Sequence, residues 1–376
     1  MKFKIETATF AAALTAVAKA VPAKPSLAIL SNYLLELSKG VLRITASDGE
    51  IALRACARPD ECDDKGSTAV PAKILLDLVK TLPAGNVTLE LAPGAESVHV
   101  TWATGESDLP AFAPGDYIDI AVPKKEDAKS FETTTDVLVG AIGKTIASAS
   151  TDTERRPTLC GIFFDIRAGR SNLVASDASR LVSHELLTPT VDGDAPFICP
   201  SKAAGILKSI LPKDQNVTVV FDGKNARFAF GNIELTTRLV VGKYPKWRTI
   251  IPTQNNNVLS VNKQDLLNTL QRMVVLAEKK TSIVKVNLSF NQMAISAEDL
   301  GMALRGCEKL ACDYDGADIQ IGLKATTFID TLASFDAEQV EIRFMDEAHA
   351  VLVRPTGEKA SEEPFEAVVM PYKLTA

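Results

Sequence analysis

The chain has 376 residues, 46% of them hydrophobic and 23% charged, with a net charge of −6. That length exceeds one ordinary core and points to two or three domains, and the apolar content excludes a disordered chain. The negative balance speaks weakly against a polyanion partner, and no apolar run is long enough to cross a membrane as a helix.

The first expected element is an amphipathic helix over residues 7–20. The opening MKFKIETATFAAALTAVAKA mimics a secretory leader, with two early lysines, an apolar stretch and an Ala-Lys-Ala. Glu6 interrupts the basic start, however, and the same kind of helix recurs at 136–149 and 264–277. A structural helix in a cytoplasmic protein is therefore expected.

A strand follows each of these helices, at SNYLLEL, GIFFDI and IVKVNLSF. Next come three alternating hairpins, VLRITASDGEIALRACA, SNLVASDASRLVSHEL and QMAISAEDLGMALRGCE, with Asp48, Asp177 and Asp299 in their turns. These aspartates are 129 and 122 residues apart, a repeat too long for a solenoid unit and right for whole domains. One acid at three turns suggests Asx hydrogen bonding to the backbone. Each unit then runs through a second helix, with Lys73, Lys202 and Lys324 all 25 residues after their aspartates. Polar stretches at 122–130 and 252–260 read as linkers. The expected organisation is α+β: three tandem domains at 1–122, 128–252 and 258–376, each with two helices and many strands.

Catalytic signatures are missing. There is no Walker loop, no GxGxxG after a strand, no GxSxG and no HExxH. Six cysteines lie scattered without a CxxC pair, and only His99, His184 and His349 could join them as ligands, so no metal or cofactor is expected. A multidomain enzyme with a site between repeats would call for a cluster of acids or a metal, and a secreted repeat adhesin would call for disulfide spacing. Neither signature is present.

The charge is unevenly spread. Windows over the helices and their turns (7–26, 71–86, 136–150, 200–214, 263–281, 324–339) hold 13 Lys or Arg against 8 Asp or Glu, leaving −11 for the remainder. An acidic chain can still meet a polyanion if those helices share one surface.

The start MKFKIE, the KPSLAILSNYLLEL segment, the three hairpins, RLVVGKYPKWRTIIP (238–252) and the tail VVMPYKL resemble the β subunit of bacterial DNA polymerase III across the whole chain. The resemblance implies a head-to-tail homodimeric ring around double-stranded DNA, helices lining the hole, with no catalytic role. It implies DNA contacts at Lys24, Arg155 and Arg156, with Pro157 and Thr158 standing where the family often has aromatics; Lys202, at the start of a repeated helix, is expected as a further phosphate contact. At the ring interface it implies Val275 and Leu276 against Leu109, with Trp102 in place of a Phe that would fall on Ser107.

It also implies a groove for short linear motifs of the polymerase III α subunit, the clamp loader, other polymerases and repair proteins. Its walls would be Leu159, Ser176, Ala178, Arg180, Leu181, Pro245, Ile250, Lys324, Ala348 and Ala350, with Val368, Val369, Met370, Pro371, Tyr372 and Lys373. Ala178-Ser179 replaces a common Gly-His, and Thr327 replaces a common Tyr, so an altered peptide preference is expected. Pro371 cannot donate to a ladder. Pairing should therefore stop there and leave Met370, Pro371 and Tyr372 at the rim beside Leu181, Pro245 and Ile250.

Overall fold

The computed structural model describes residues 1–63, 65–118, 120–124, 128–167, 170–186, 194–357 and 364–374. One pattern is used twice in every repeat: a strand, a helix, then a meander of three antiparallel strands. The first repeat runs β1 (Lys2–Glu6), α1 (Thr7–Val17), β2 (Asn32–Ser38), β3 (Val41–Ser47), β4 (Ile51–Ala57), a two-residue β5 (Glu61–Cys62), β6 (Lys65–Pro71), α2 (Ala72–Thr81), β7 (Asn86–Glu90), β8 (Ser97–Trp102) and β9 (Gly105–Pro110). The second runs β10 (Lys129–Thr134), α3 (Thr135–Thr145), β11 (Gly161–Asp165), β12 (Ser171–Ser176), β13 (Arg180–Leu186), β14 (Phe197–Pro200), α4 (Ser201–Ile210), β15 (Asn216–Phe221), β16 (Asn225–Phe230) and β17 (Ile233–Arg238). The third runs β18 (Asn257–Asn262), α5 (Lys263–Leu276), β19 (Ile283–Ser289), β20 (Gln292–Asp299), β21 (Leu304–Ala311), β22 (Ile319–Lys324), α6 (Ala325–Ala333), β23 (Gln339–Phe344), β24 (Val351–Thr356) and β25 (Phe365–Val369).

Local sequence explains these elements. β7 and β15 bury every second residue, as a sheet with one wet face requires. Along α5 the buried side chains are Leu266, Thr269, Leu270 and Met273, the three-and-four spacing of one helical face. Asn262 caps that helix, its side chain accepting the Asp265 amide at 3.0 Å. No helix among the described residues is long and apolar enough to cross a membrane.

The strand before each helix does not stay with its own meander. It joins the meander that follows the other helix of the same repeat, giving half-sheets such as β1-β7-β8-β9 and β6-β2-β3-β4. Half-sheets of successive repeats then fuse. β17 pairs with β4 in one eight-stranded sheet (β10-β15-β16-β17-β4-β3-β2-β6), and β25 pairs with β13 in the other (β14-β11-β12-β13-β25-β24-β23-β18). Two sheets remain outside these fusions, β5-β1-β7-β8-β9 and β21-β20-β19-β22. By contact density the chain forms two compact units, residues 1–136 with 205–239, and residues 137–204 with 240–376. Each contains one eight-stranded and one smaller sheet.

The recurring aspartates close the hairpins through their side chains. Asp48 Oδ1 accepts the amides of Glu50 at 2.9 Å and Ile51 at 2.7 Å; Asp177 Oδ1 accepts those of Ser179 at 2.8 Å and Arg180 at 3.0 Å. Asp299 Oδ1 accepts the Met302 amide at 3.1 Å. The lysine spacing has a different outcome in the third repeat. Across the hairpins Ala46 faces Leu53 and Ala175 faces Val182, seven residues on, whereas Ala297 faces Gly306, nine residues on. This longer hairpin delays the helix by two residues. Lys73 and Lys202 are thus second in their helices, while Lys324 precedes α6.

Candidate functional site

In the unit of residues 137–204 and 240–376, a cleft of about 180 Å³ opens beside the β12–β13 hairpin. Strand pairing builds its floor: Leu181 of β13 faces Ser176 of β12 on one side and Val368 of β25 on the other. Leu159, Leu181, Tyr244 and Val368 share one apolar cluster with Trp247, Ile198 and Leu352. Phe163 stacks flat on Tyr244 with centroids 4.5 Å apart, which fixes the aromatic before Pro245. At the rim stand Ile250, 44% exposed, and Met370, 48% exposed. An apolar floor with exposed aliphatic edges has area to offer a ligand and little directional chemistry.

Two polar constructions hold the cleft in shape. Arg180 is 9% exposed, and its guanidinium donates to the Thr327 carbonyl at 3.3 Å, to Asp330 Oδ2 at 3.3 Å, to Asp177 Oδ2 at 3.2 Å and to the Ala147 carbonyl. It ties the hairpin turn to α6 and to the segment after α3. Within that turn Ala178 adopts φ +72°, a left-handed conformation that suits glycine better. Below the opposite wall, Asp165 is fully buried and accepts from Trp247 Nε1 at 2.8 Å, Arg167 Nε at 2.7 Å and Arg248. The Arg248 guanidinium lies 4.2 Å from the Trp247 ring centroid. Burial alone would raise the Asp165 pKa, but hydrogen bonds from Arg167, Trp247 and Arg248 outweigh it and hold the carboxyl below its usual range. The Pro245–Ile250 wall is therefore anchored on an ionised carboxylate.

Of the residues assigned to the groove, Leu159, Ser176, Ala178, Arg180, Leu181, Pro245, Ile250, Val368 and Met370 line this cleft, together with Ser179 and Tyr244. Other expected residues lie elsewhere. Val369 belongs to the third repeat's core, because successive side chains of a strand point to opposite faces. Ala350 is half-buried behind the floor, and Ala348 and Lys324 are exposed away from the lining. The tail also departs from expectation. The Met370 amide donates to the Ser179 carbonyl at 2.8 Å, Pro371 follows half-buried, and the chain then pairs with β22 through Tyr372. Tyr372 and Lys373 consequently line a separate, wider depression over β19 and β20.

Lys24, Arg155, Arg156 and Lys202 are all exposed. Arg156 also donates to the Asp177 carbonyl at 3.0 Å, so it is partly committed to the hairpin turn. Of the expected interface residues, Val275 is 72% exposed at the end of α5, and Leu276 is half-buried where it abuts Gly306 of β21. Leu109 is only 5% exposed, on the inner face of β9. Trp102 is half-buried with its ring over Gly105. Among the described residues no group of three His, Cys, Asp or Glu is placed to hold a metal.

Three tandem copies of a domain that lends half-sheets to its neighbours define the clamp-fold class. Comparison with known proteins agrees. The N-terminal, central and C-terminal domain models of the DNA polymerase III beta subunit match residues 1–120, 132–246 and 248–373. The chain belongs to the DNA polymerase III beta subunit family. It is similar to the beta sliding clamp of Synechocystis sp., 26% identical over 95% of this chain and 96% of that one. It is also similar to the beta sliding clamp of Streptomyces coelicolor, 24% identical over 100% of both. A crystal structure of the DNA polymerase sliding clamp from Pseudomonas aeruginosa superposes with a TM-score of 0.93 at 23% identity over 100% of both chains.

Proposed function

We propose that this chain is a DNA sliding clamp, a non-catalytic processivity subunit of DNA polymerase III. Two copies close head to tail into a ring around duplex DNA, in the cytoplasm. Its clamp domains run over 1–122, 128–252 and 258–376. The apolar cleft receives short linear motifs of the polymerase III α subunit, the clamp loader, other polymerases and repair proteins. Lys24, Arg155, Arg156 and Lys202 meet phosphates, a contact that positions without reading sequence.

One observation carries this reading. The rule that fuses half-sheets operates twice inside the chain and leaves β9 and β21 as the strands that would make a third fusion. A second copy supplies both missing partners, and a heterologous contact made twice closes. The cleft adds weight, because its apolar lining fits an anchor residue better than a reacting group.

Retention on DNA tests the proposal. Protein loaded on a circle should stay bound and should run off when the circle is cut. Lys24→Glu should weaken direct DNA binding and lower its salt slope by about one unit. Equal retention on circular and linear DNA would overturn the ring.

A further inference from the structure

We propose that this protein carries a second pocket, lined by Arg170, Arg248 and Arg354, which takes an acidic residue of the same linear-motif peptide whose apolar anchor fills the cleft. The inference rests on the peptide-binding reading above and adds a charge preference to it.

The pocket measures about 330 Å³ and shares a sheet face with the cleft. Side chains two apart on a strand point the same way. On β13, Leu181 floors the cleft and Ser183 the pocket; on β25, Val368 floors the cleft and Glu366 the pocket. Ser183 faces Glu366 as Leu181 faces Val368, so the two floors are successive rows of one ladder. A single stretch of chain stands between them. Ile250 lines the cleft, and the next residue, Ile251, lines the pocket. Trp247 packs with Leu181 and Val368 and lines the pocket as well.

The two sites differ in chemistry. In the cleft the Arg180 guanidinium is 9% exposed and already spent on four protein acceptors. In the pocket three guanidinium groups stand against one lining carboxylate, Glu366. Their side chains are more open, at 65% for Arg170, 41% for Arg248 and 38% for Arg354. Each is held by an acid. Arg170 Nε lies 2.8 Å from Glu185, Arg354 Nη2 lies 2.6 Å from Glu366, and Arg248 bonds the buried Asp165 and, at 3.3 Å, Asn172 Oδ1. These bonds fix the guanidinium groups without exhausting them, since each carries five N–H donors. With Arg167 and Asp194 included, the surroundings are nearly neutral, so recognition depends on directed donors and not on a broad field. A carboxylate is the ligand that suits such donors, accepting two parallel N–H bonds from one guanidinium. Trp247 and Ile251 offer apolar area to the methylenes that carry it.

The spacing suits one peptide. From the Leu181 row to the Ser183 row is about 7 Å along the strand, and from Ser176 in the cleft to Asn172 in the pocket about 13 Å. An extended chain covers that in two to four residues.

Peptide binding to the intact protein, read by fluorescence anisotropy, tests the pocket. The probe is a peptide of the polymerase III α subunit with its apolar anchor, carrying Glu or Gln two, three or four residues to either side. At one of these positions Glu should bind about fivefold more tightly than Gln, as a well-oriented exposed ion pair allows, and the gain should fade in high salt. Arg354→Gln and, separately, Arg170→Gln should remove most of this preference while binding the Gln peptide as the wild type does. Arg170 is open enough that its loss leaves the fold intact. Lys80→Gln, an exposed cation of the other compact unit, should keep the preference. Equal affinity for Glu and Gln at every position would overturn the pocket and leave the cleft standing. So would a preference that survives both arginine variants or falls equally in Lys80→Gln. If no peptide of the series binds, the peptide-binding reading falls and the pocket with it.

Discussion

The Tyr372 amide donates to the carbonyl of Gly322 at 2.7 Å, and Leu374 packs onto the same glycine, where a Cβ would collide with the Tyr372 carbonyl and the Leu374 side chain. The tail thus leaves one sheet at Val369 and is received by another at β22. A glycine is needed there because backbone approaches backbone. Gly322→Ala should lift residues 372–374 while leaving Met370 held by Ser179. Amide exchange at Tyr372 should accelerate, and affinity for a polymerase-derived peptide should fall by less than about tenfold. A larger loss would show that Tyr372 belongs to the peptide site after all.

Ile250→Asp places a carboxylate on the apolar rim. It should reduce peptide affinity by at least about 2 kcal/mol, read by titration calorimetry, and leave the melting temperature nearly unchanged because the side chain is already 44% exposed.

Arg180→Lys retains the charge but loses the planar fork that serves Asp177, Asp330 and the Thr327 carbonyl. The expected cost is about 2 kcal/mol in equilibrium unfolding, from charge-assisted bonds that one ammonium cannot replace. Peptide affinity should fall with it, since the hairpin turn forms one lip of the cleft.

Acid should act through His184. Burial, assisted by the positive charge of Lys144, lowers its pKa to about 4 from 6.5. The native state therefore binds fewer protons than the unfolded chain between those values. Stability from this group is full above 6.5 and is lost as pH falls through about 4, a change of roughly 3 kcal/mol. His184→Gln should flatten that part of the stability profile measured by denaturant titration.

Much of this architecture could be read from the chain alone, because hairpins with Asp48, Asp177 and Asp299 repeat with their helices, and local turn chemistry leaves a local signature. What escaped is non-local. The exchange of strands between half-sheets joins β1 to β7 and β6 to β2, and no window of sequence contains both partners. Lys324 kept the 25-residue spacing while its helix slid two residues along, so equal spacing was not equivalent position. Val369 was misplaced by strand parity that its neighbour Val368 already determined. Tyr244 carried a signal, standing before Pro245 in the RLVVGKYPKWRTIIP stretch that helps to carry the resemblance. Asp165 carried none: a lone acid at a strand end reads as solvent-facing, and only the arrival of Trp247 and Arg248 from over 80 residues away gives it a partner.

The middle repeat has no complete sheet of its own, since β17 finishes the wall begun by β4 and β13 that begun by β25. Cutting the chain at the polar stretch 122–130 would therefore sever no domain cleanly. Each fragment would carry a bare strand edge in search of hydrogen bonds, an invitation to aggregate. The smallest self-sufficient piece of this protein is larger than its repeating unit.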